Sequence, residues 1–184
     1  MANICSGSES ASSETSTIID NALSEEDLAL LQERIIWNYN FPWFLGNKIE
    51  FGHNRDSISD GFAGTHLFFY MGSPVTAKEI NISKLFSILQ PILDALQPKS
   101  ILRIKANFYP HTSAILEHEQ HSDFPFPHKG AIFCLNTCNG FTRLHDQIID
   151  SVENRLIIFD PSKLHNSTTC TDEMGRFNIN FNYF

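Results

Sequence analysis

Polar and apolar side chains alternate without interruption near the C-terminal end of the chain. There Arg176, Asn178, Asn180 and Asn182 interleave with Phe177, Ile179, Phe181 and Tyr183. Arg103, Lys105, Asn107 and Tyr109 alternate with Ile104, Ala106 and Phe108 in the same way. Successive side chains of an extended strand point to opposite faces, so this period of two predicts strands over 103–109 and over Arg176 to Phe184. Water on the amide side is the usual setting for such a strand. The large groups on both faces leave a wet barrel interior as an alternative. Further strands are predicted at His66 to Met71, Ala131 to Thr137 and Arg155 to Phe159.

The first half of the chain follows a helical period. Leu28, Leu31 and Ile35 recur on one face and predict a helix from Glu25 to Trp37. Ser24 is its N-cap with Asp27 three residues on, and Leu23 and Leu28 stand at the two positions of a hydrophobic staple. Phe41-Pro42-Trp43-Phe44 ends that helix as an aromatic plug against the core. Leu85, Leu89, Ile92 and Leu96 predict a second helix across Ile82 to Leu96, which Pro91 kinks or splits. Between the two, residues 46–65 are polar and dotted with glycine, with a loop expected at Asp56 to Gly64.

Ser6 to Thr17 is almost entirely Ser, Thr, Glu, Gly and Ala and has nothing to bury. The expected organisation is a disordered arm over 1–17 and one domain over 18–184, with helical support over 18–99 and a β core over 100–184. Helices first and strands after make this an α+β chain whose core is a β-sandwich or jelly roll.

Composition narrows the class further. A net charge of −8 disfavours a general nucleic-acid binder, which carries a basic face. The start has neither a basic stretch nor an apolar one, so no secretory signal is expected, and no apolar run approaches a membrane span. Four Cys without C-x-x-C spacing suit a reducing compartment. The expectation is a soluble, cytoplasmic protein.

Candidate chemistry begins at Glu117-His118-Glu119-Gln120-His121-Ser122-Asp123. His121 and Asp123 are two residues apart and would share a face of an extended segment. An imidazole beside a carboxylate is two thirds of the facial triad that holds non-haem Fe(II). Taken alone, the pair is more simply a solvated surface turn. His165 follows the strand ending at Phe159 and the turn Asp160-Pro161-Ser162-Lys163, as a residue re-entering a sheet. Arg176 lies beyond the turn Asp172-Glu173-Met174-Gly175. A hairpin centred near Cys170-Thr171 would set Arg176 opposite His165, whereas a bend at 172–175 would move it several residues along.

The order H-x-D, then His165, then Arg176 resembles the 2-oxoglutarate- and Fe(II)-dependent dioxygenases, above all their prolyl 4-hydroxylase-like branch. Phe108-Tyr109-Pro110 resembles the tyrosine strand that precedes the H-x-D there. Leu135-Asn136 with Gly140-Phe141-Thr142 resembles its L-N…G-G-x-T segment, and Asn154-Arg155-Leu156-Ile157-Ile158-Phe159 its strand leading to the distal His. The likeness covers residues 100–184 and implies a double-stranded β-helix, or jelly-roll, core.

The resemblance also implies roles. His121, Asp123 and His165 would bind Fe(II) and leave three positions open, two for the 2-oxo acid and one for O2. Arg176 would hold the far carboxylate of the cosubstrate 2-oxoglutarate, Tyr109 would donate to it, and ascorbate would serve as reductant. Decarboxylation to succinate and CO2 would be coupled to hydroxylation of a substrate C–H bond. The substrate would be a peptide, peptidyl proline being the implied class, or a small molecule. Two departures stand out: Cys134 replaces a cosubstrate-binding Tyr, and Phe141 replaces the second Gly.

Simpler readings stand beside these. His118 is a rival to His121 but lacks a carboxylate two residues on. Arg103 and Lys105 are rival anchors on the Tyr109 face, or plain residues of a solvated strand face. Tyr109 is equally a core residue, Cys134 and Cys138 are most simply buried thiols, and Phe124-Pro125-Phe126-Pro127 is either a rigid loop or part of a substrate wall. A metal-binding jelly roll without activity is the rival function, and a nucleobase the outlying substrate.

Overall fold

A computed structural model describes residues 16–46, 62–72 and 81–184. The first fifteen residues of the expected arm and most of the expected loop at Asp56 to Gly64 lie outside the described residues. The first part of the chain contains β1 (Thr17–Ile19), α1 (Glu25–Ile35), β2 (Phe44–Gly46), β3 (Ala63–Tyr70), β4 (Asn81–Ile82) and α2 (Gln90–Leu96). The second is made of strands: β5 (Ile101–Pro110), β6 (Lys129–Cys134), β7 (Cys138–Leu144), β8 (Gln147–Ser151), β9 (Arg155–Phe159), β10 (His165–Ser167) and β11 (Gly175–Tyr183).

Two sheets result. The larger has eight strands in the order β1-β9-β6-β11-β5-β3-β2, with β4 added on β3; the smaller runs β10-β7-β8. Bridges Glu117↔Thr168 and His121↔His165 lay the segment 117–121 along the free side of β10. Both sheets line one interior cleft, with Asn107, Tyr109, Ile132, Asn178 and Asn180 on one side and Thr142, His165 and Ser167 on the other. This is a jelly roll, and among the described residues its strands pair antiparallel, with one isolated parallel bridge between His111 and Cys170.

The outer face of the larger sheet carries the apolar core. Ile104, Ala106, Phe133, Phe177, Ile179 and Phe181 pack with Leu31 and Ile35 of α1 and with Leu89, Ile92 and Leu93 around α2. The Ser24 side chain accepts from the Asp27 N–H and caps α1 as its sequence predicts. The helix ends at Ile35 rather than Trp37, where the Ile36 N–H closes the last turn on the Gln32 carbonyl.

Several expectations are corrected. No continuous helix spans Ile82 to Leu96: Asn81–Ile82 is strand β4, Phe86–Leu89 is a 3-10 turn, and α2 begins at Gln90. Pro91 sits in the first turn of α2, where its missing N–H leaves no hydrogen bond unmade. Strand β6 stops at Cys134 rather than Thr137, because Asn136 turns its amide onto β11, accepting from the Phe177 N–H at 2.9 Å and donating to the Gly175 carbonyl at 3.0 Å. Neither proposed hairpin forms. His165 pairs with Leu144 in the smaller sheet, and Arg176 lies opposite Tyr109 in the larger one. Among the described residues, no helix is long and apolar enough to cross a membrane.

Candidate metal centre

Two backbone hydrogen bonds join His121 and His165 reciprocally, N–H to carbonyl, at 2.9 and 2.8 Å. Residues paired in this way present their side chains on one face, and the two imidazole centroids lie 4.4 Å apart. Asp123 is fixed two residues on by its N–H donating to the Pro161 carbonyl at 2.9 Å. Its carboxylate oxygens lie 3.8 Å from His121 Nε2 and 4.0 Å from His165 Nε2. One ligand atom from each of the three residues falls within 4.8 Å of the others, so the trio can hold a metal ion. The carbonyl of Lys163 lies 2.9 Å from His165 Nδ1 and can only accept, which puts the ring proton on Nδ1 and a lone pair on Nε2.

The donor set suits Fe(II): two neutral imidazoles and one carboxylate on one side of a cleft. Burial alone would raise the Asp123 carboxyl. The permanent positive charge of the Arg103 guanidinium, the largest of the lowering influences, more than offsets this and holds the carboxyl well below the usual carboxylate range. Arg103 forms an ion pair with Asp123 Oδ1, and Asn180 reaches Oδ2 at 3.4 Å. Behind Asn180 a row of amides continues: Asn182 donates to Asn180 at 2.6 Å, and His128 bonds Asn182 at 2.7 Å and the Phe126 carbonyl at 2.8 Å.

Behind Thr142 and Tyr109 of the cleft wall, Arg176 is fully buried. One guanidinium nitrogen donates to Thr142 Oγ1 at 2.6 Å, another to the Thr168 carbonyl at 3.5 Å, and Nε has no hydrogen-bond partner among the described residues. Its Cζ lies 5.9 Å from the centre of the Tyr109 ring. No carboxylate of the described residues pairs with it. A permanent cation is costly to bury in this way unless a ligand completes it. Gly140 makes room for it: a Cβ there would stand 2.6 Å from the Thr169 carbonyl and 3.0 Å from Arg176 Cδ.

The fold therefore brings His121, Asp123, His165 and Tyr109 to one cleft, with Arg176 against Tyr109 and Thr142 in its wall. His118 is not part of it as a ligand; it is buried with its ring against Tyr109 and Nδ1 2.8 Å from Ser167 Oγ. Cys134 is buried on β6 opposite Asn178; burial raises its thiol while the Arg176 charge works the other way. Sequence reasoning did not single out Thr142, Asn107, Asn178 or Asn180. For the asparagines the signal was the unbroken polar alternation, and for Thr142 its place in the Gly140-Phe141-Thr142 segment. Arg103, considered only as an anchor or as a solvated residue, is instead the partner of Asp123.

No protein-family model matches the chain, and no curated protein matches it by sequence. Solved structures do match it. A prolyl hydroxylase from Trichoplax adhaerens, in complex with a hypoxia-inducible-factor peptide, superimposes with a TM-score of 0.63 over 94% of this chain and 84% of its own, at 14% identity. The fold is that of the 2-oxoglutarate- and Fe(II)-dependent oxygenases. A member of that oxygenase family from Burkholderia pseudomallei gives a TM-score of 0.61 over 91% of this chain and 84% of its own, at 10% identity. The α-ketoglutarate-dependent epimerase SnoN of nogalamycin biosynthesis gives 0.61 over 92% and 78%, at 9% identity. Identities this low speak for the oxygenase fold and leave the chemistry to the residues of the cleft.

Proposed function

We propose that this chain is an Fe(II)- and 2-oxoglutarate-dependent dioxygenase that hydroxylates a substrate C–H bond, with peptidyl proline as the substrate class. The observation that carries the proposal is a fully buried Arg176, with no carboxylate of the described residues upon it, set against Thr142 and Tyr109 in the wall of the cleft that holds a His/Asp/His trio. A metal-binding jelly roll without activity has no use for that unpaired guanidinium. A dicarboxylate that chelates a metal at one end and ends in a carboxylate at the other answers both features.

In this reading His121, Asp123 and His165 hold the iron, and Arg176 with Tyr109 holds the far carboxylate of 2-oxoglutarate. Bound there, the pair supplies oxidative decarboxylation to succinate and CO2, with one oxygen atom of O2 passing to the substrate. Thr142 orients the Arg176 fork, and Lys163, through its carbonyl, keeps the His165 lone pair on Nε2. Ile132, Cys134, Ile149 and Ile157, packed inside the barrel, exclude water from one side of the cleft. Proline as the substrate rests on the sequence resemblance, supported by the peptide-bound prolyl hydroxylase of the same fold.

Purified protein supplied with Fe(II), ascorbate and O2 should convert 2-oxoglutarate to succinate even without its substrate, and His121→Ala and Asp123→Ala should not. Absence of turnover, or turnover indifferent to both substitutions, would sink the reading. A one-oxygen mass gain on proline peptides, compared with a metabolite extract, then decides the substrate class.

A further inference from the structure

Asp123 is gripped at both oxygens. Arg103 pairs with Oδ1, and Asn180 reaches Oδ2 at the longer distance of 3.4 Å. The two grips come from neighbouring strands, β5 and β11, on which Arg103 stands opposite Asn182 and Lys105 opposite Asn180. The Arg103 guanidinium is itself set in place, with Cζ 5.2 Å from the centre of the Phe124 ring, the residue that follows Asp123. Its side chain is 16% exposed and that of Asp123 5%, so water competes little for the pair.

We infer that Arg103 is a positioning residue that keeps Asp123 a one-oxygen ligand. This rests on the iron reading of the trio. A carboxylate left alone beside a dication can bind through one oxygen or through both. Binding through both would consume one of the three positions that a chelating 2-oxo acid and O2 require. With Oδ1 engaged by a guanidinium that is always charged, and Oδ2 reached only by the longer Asn180 contact, Oδ2 is the oxygen freer to bind the metal. Arg103 also places a positive charge near the dication, so it works against metal affinity while favouring an open site. Those two effects have opposite signs, and that makes the role separable from simple support of the fold.

The test uses full-length protein under anaerobic conditions, with Fe(II) binding measured by calorimetry and 2-oxoglutarate binding by the visible charge-transfer absorption that a 2-oxo acid gives on chelating Fe(II). In Arg103→Met the 2-oxoglutarate dissociation constant should rise about tenfold or more while the Fe(II) constant moves by less than about threefold. Arg103→Lys, which restores the charge at Oδ1 without the fork, should recover part of the loss. Unchanged 2-oxoglutarate binding, or Fe(II) and 2-oxoglutarate binding weakened in parallel in both variants, overturns the inference and leaves the iron reading intact. Wild-type protein that binds Fe(II) without developing the absorption, or binds no Fe(II), overturns both.

Discussion

Strand β11 is buried on both faces, yet the faces differ completely. Phe177, Ile179, Phe181 and Tyr183 look out of the barrel toward the helices, while Arg176, Asn178, Asn180 and Asn182 look in. The outer face needs no explanation beyond burial of apolar surface. The inner face does, because burying an arginine and three amides gains little for the fold even when they bond to one another. The difference separates what the strand does for stability from what it does for chemistry. A polar residue on the helix side makes the contrast clear. His66, packed against Phe41 and Phe68, has both ring nitrogens engaged, by the Pro42 carbonyl at 3.1 Å and Ser83 Oγ at 2.9 Å, whereas Arg176 Nε faces no partner.

Substitutions on the two faces should therefore fail in opposite ways. The largest effect is expected for His165→Ala, which should cut 2-oxoglutarate turnover more than about a hundredfold while leaving the melting temperature close to that of the parent protein. Phe181→Ala should do the reverse, costing about 3–5 kcal/mol in a denaturant titration while the protein that stays folded keeps its turnover per molecule. Arg176→Met should raise the 2-oxoglutarate requirement about ten- to a hundredfold with a melting temperature unchanged or higher, because an unpaired buried charge is removed. A melting temperature that collapses together with activity in Arg176→Met would erase the distinction between the faces. Gly140→Ala should raise the 2-oxoglutarate requirement several-fold and cost about 1–3 kcal/mol, since the added methyl meets Arg176 and the Thr169 carbonyl.

The smallest effect concerns pH. Burial lowers His66 below its ordinary value of 6.5, and the Pro42 carbonyl only partly opposes this. The unfolded chain then binds a proton more readily than the folded one, so stability is lost as pH falls through 6.5 toward the lowered folded value. His66→Gln should flatten that part of a stability–pH curve, and an unaltered slope would remove His66 from the account.

The proposed metal trio and its proposed anchor could be picked out in the chain because the chemistry they would serve is carried by residue type and order: H-x-D, His165, then Arg176. The faces of β5 and β11 were legible from their period of two, although the period could not say whether the polar side met water or a barrel interior. That depended on the smaller sheet, which local pattern hid. Strand β10 is only three residues long, and in β7 and β8 the apolar residues do not alternate in a way that reads as a strand. Pairing across sheets is hidden for the same reason: the two hairpins open to the sequence both relate Arg176 to His165, whereas its cross-strand neighbour is Tyr109. Arg103 shows the remaining gap. Nothing in its sequence context distinguishes a solvated strand residue from one that holds a metal ligand twenty residues away; only the closure of the barrel brings the two together.

We propose that the inner, polar face is an iron and 2-oxoglutarate site. Diffraction at the iron absorption edge from crystals grown anaerobically with Fe(II) and 2-oxoglutarate tests it most directly. The account predicts one anomalous peak bonded to His121, Asp123 and His165, with the far carboxylate of 2-oxoglutarate on Arg176. A peak elsewhere, or an Arg176 with no 2-oxoglutarate carboxylate upon it, would overturn the proposal.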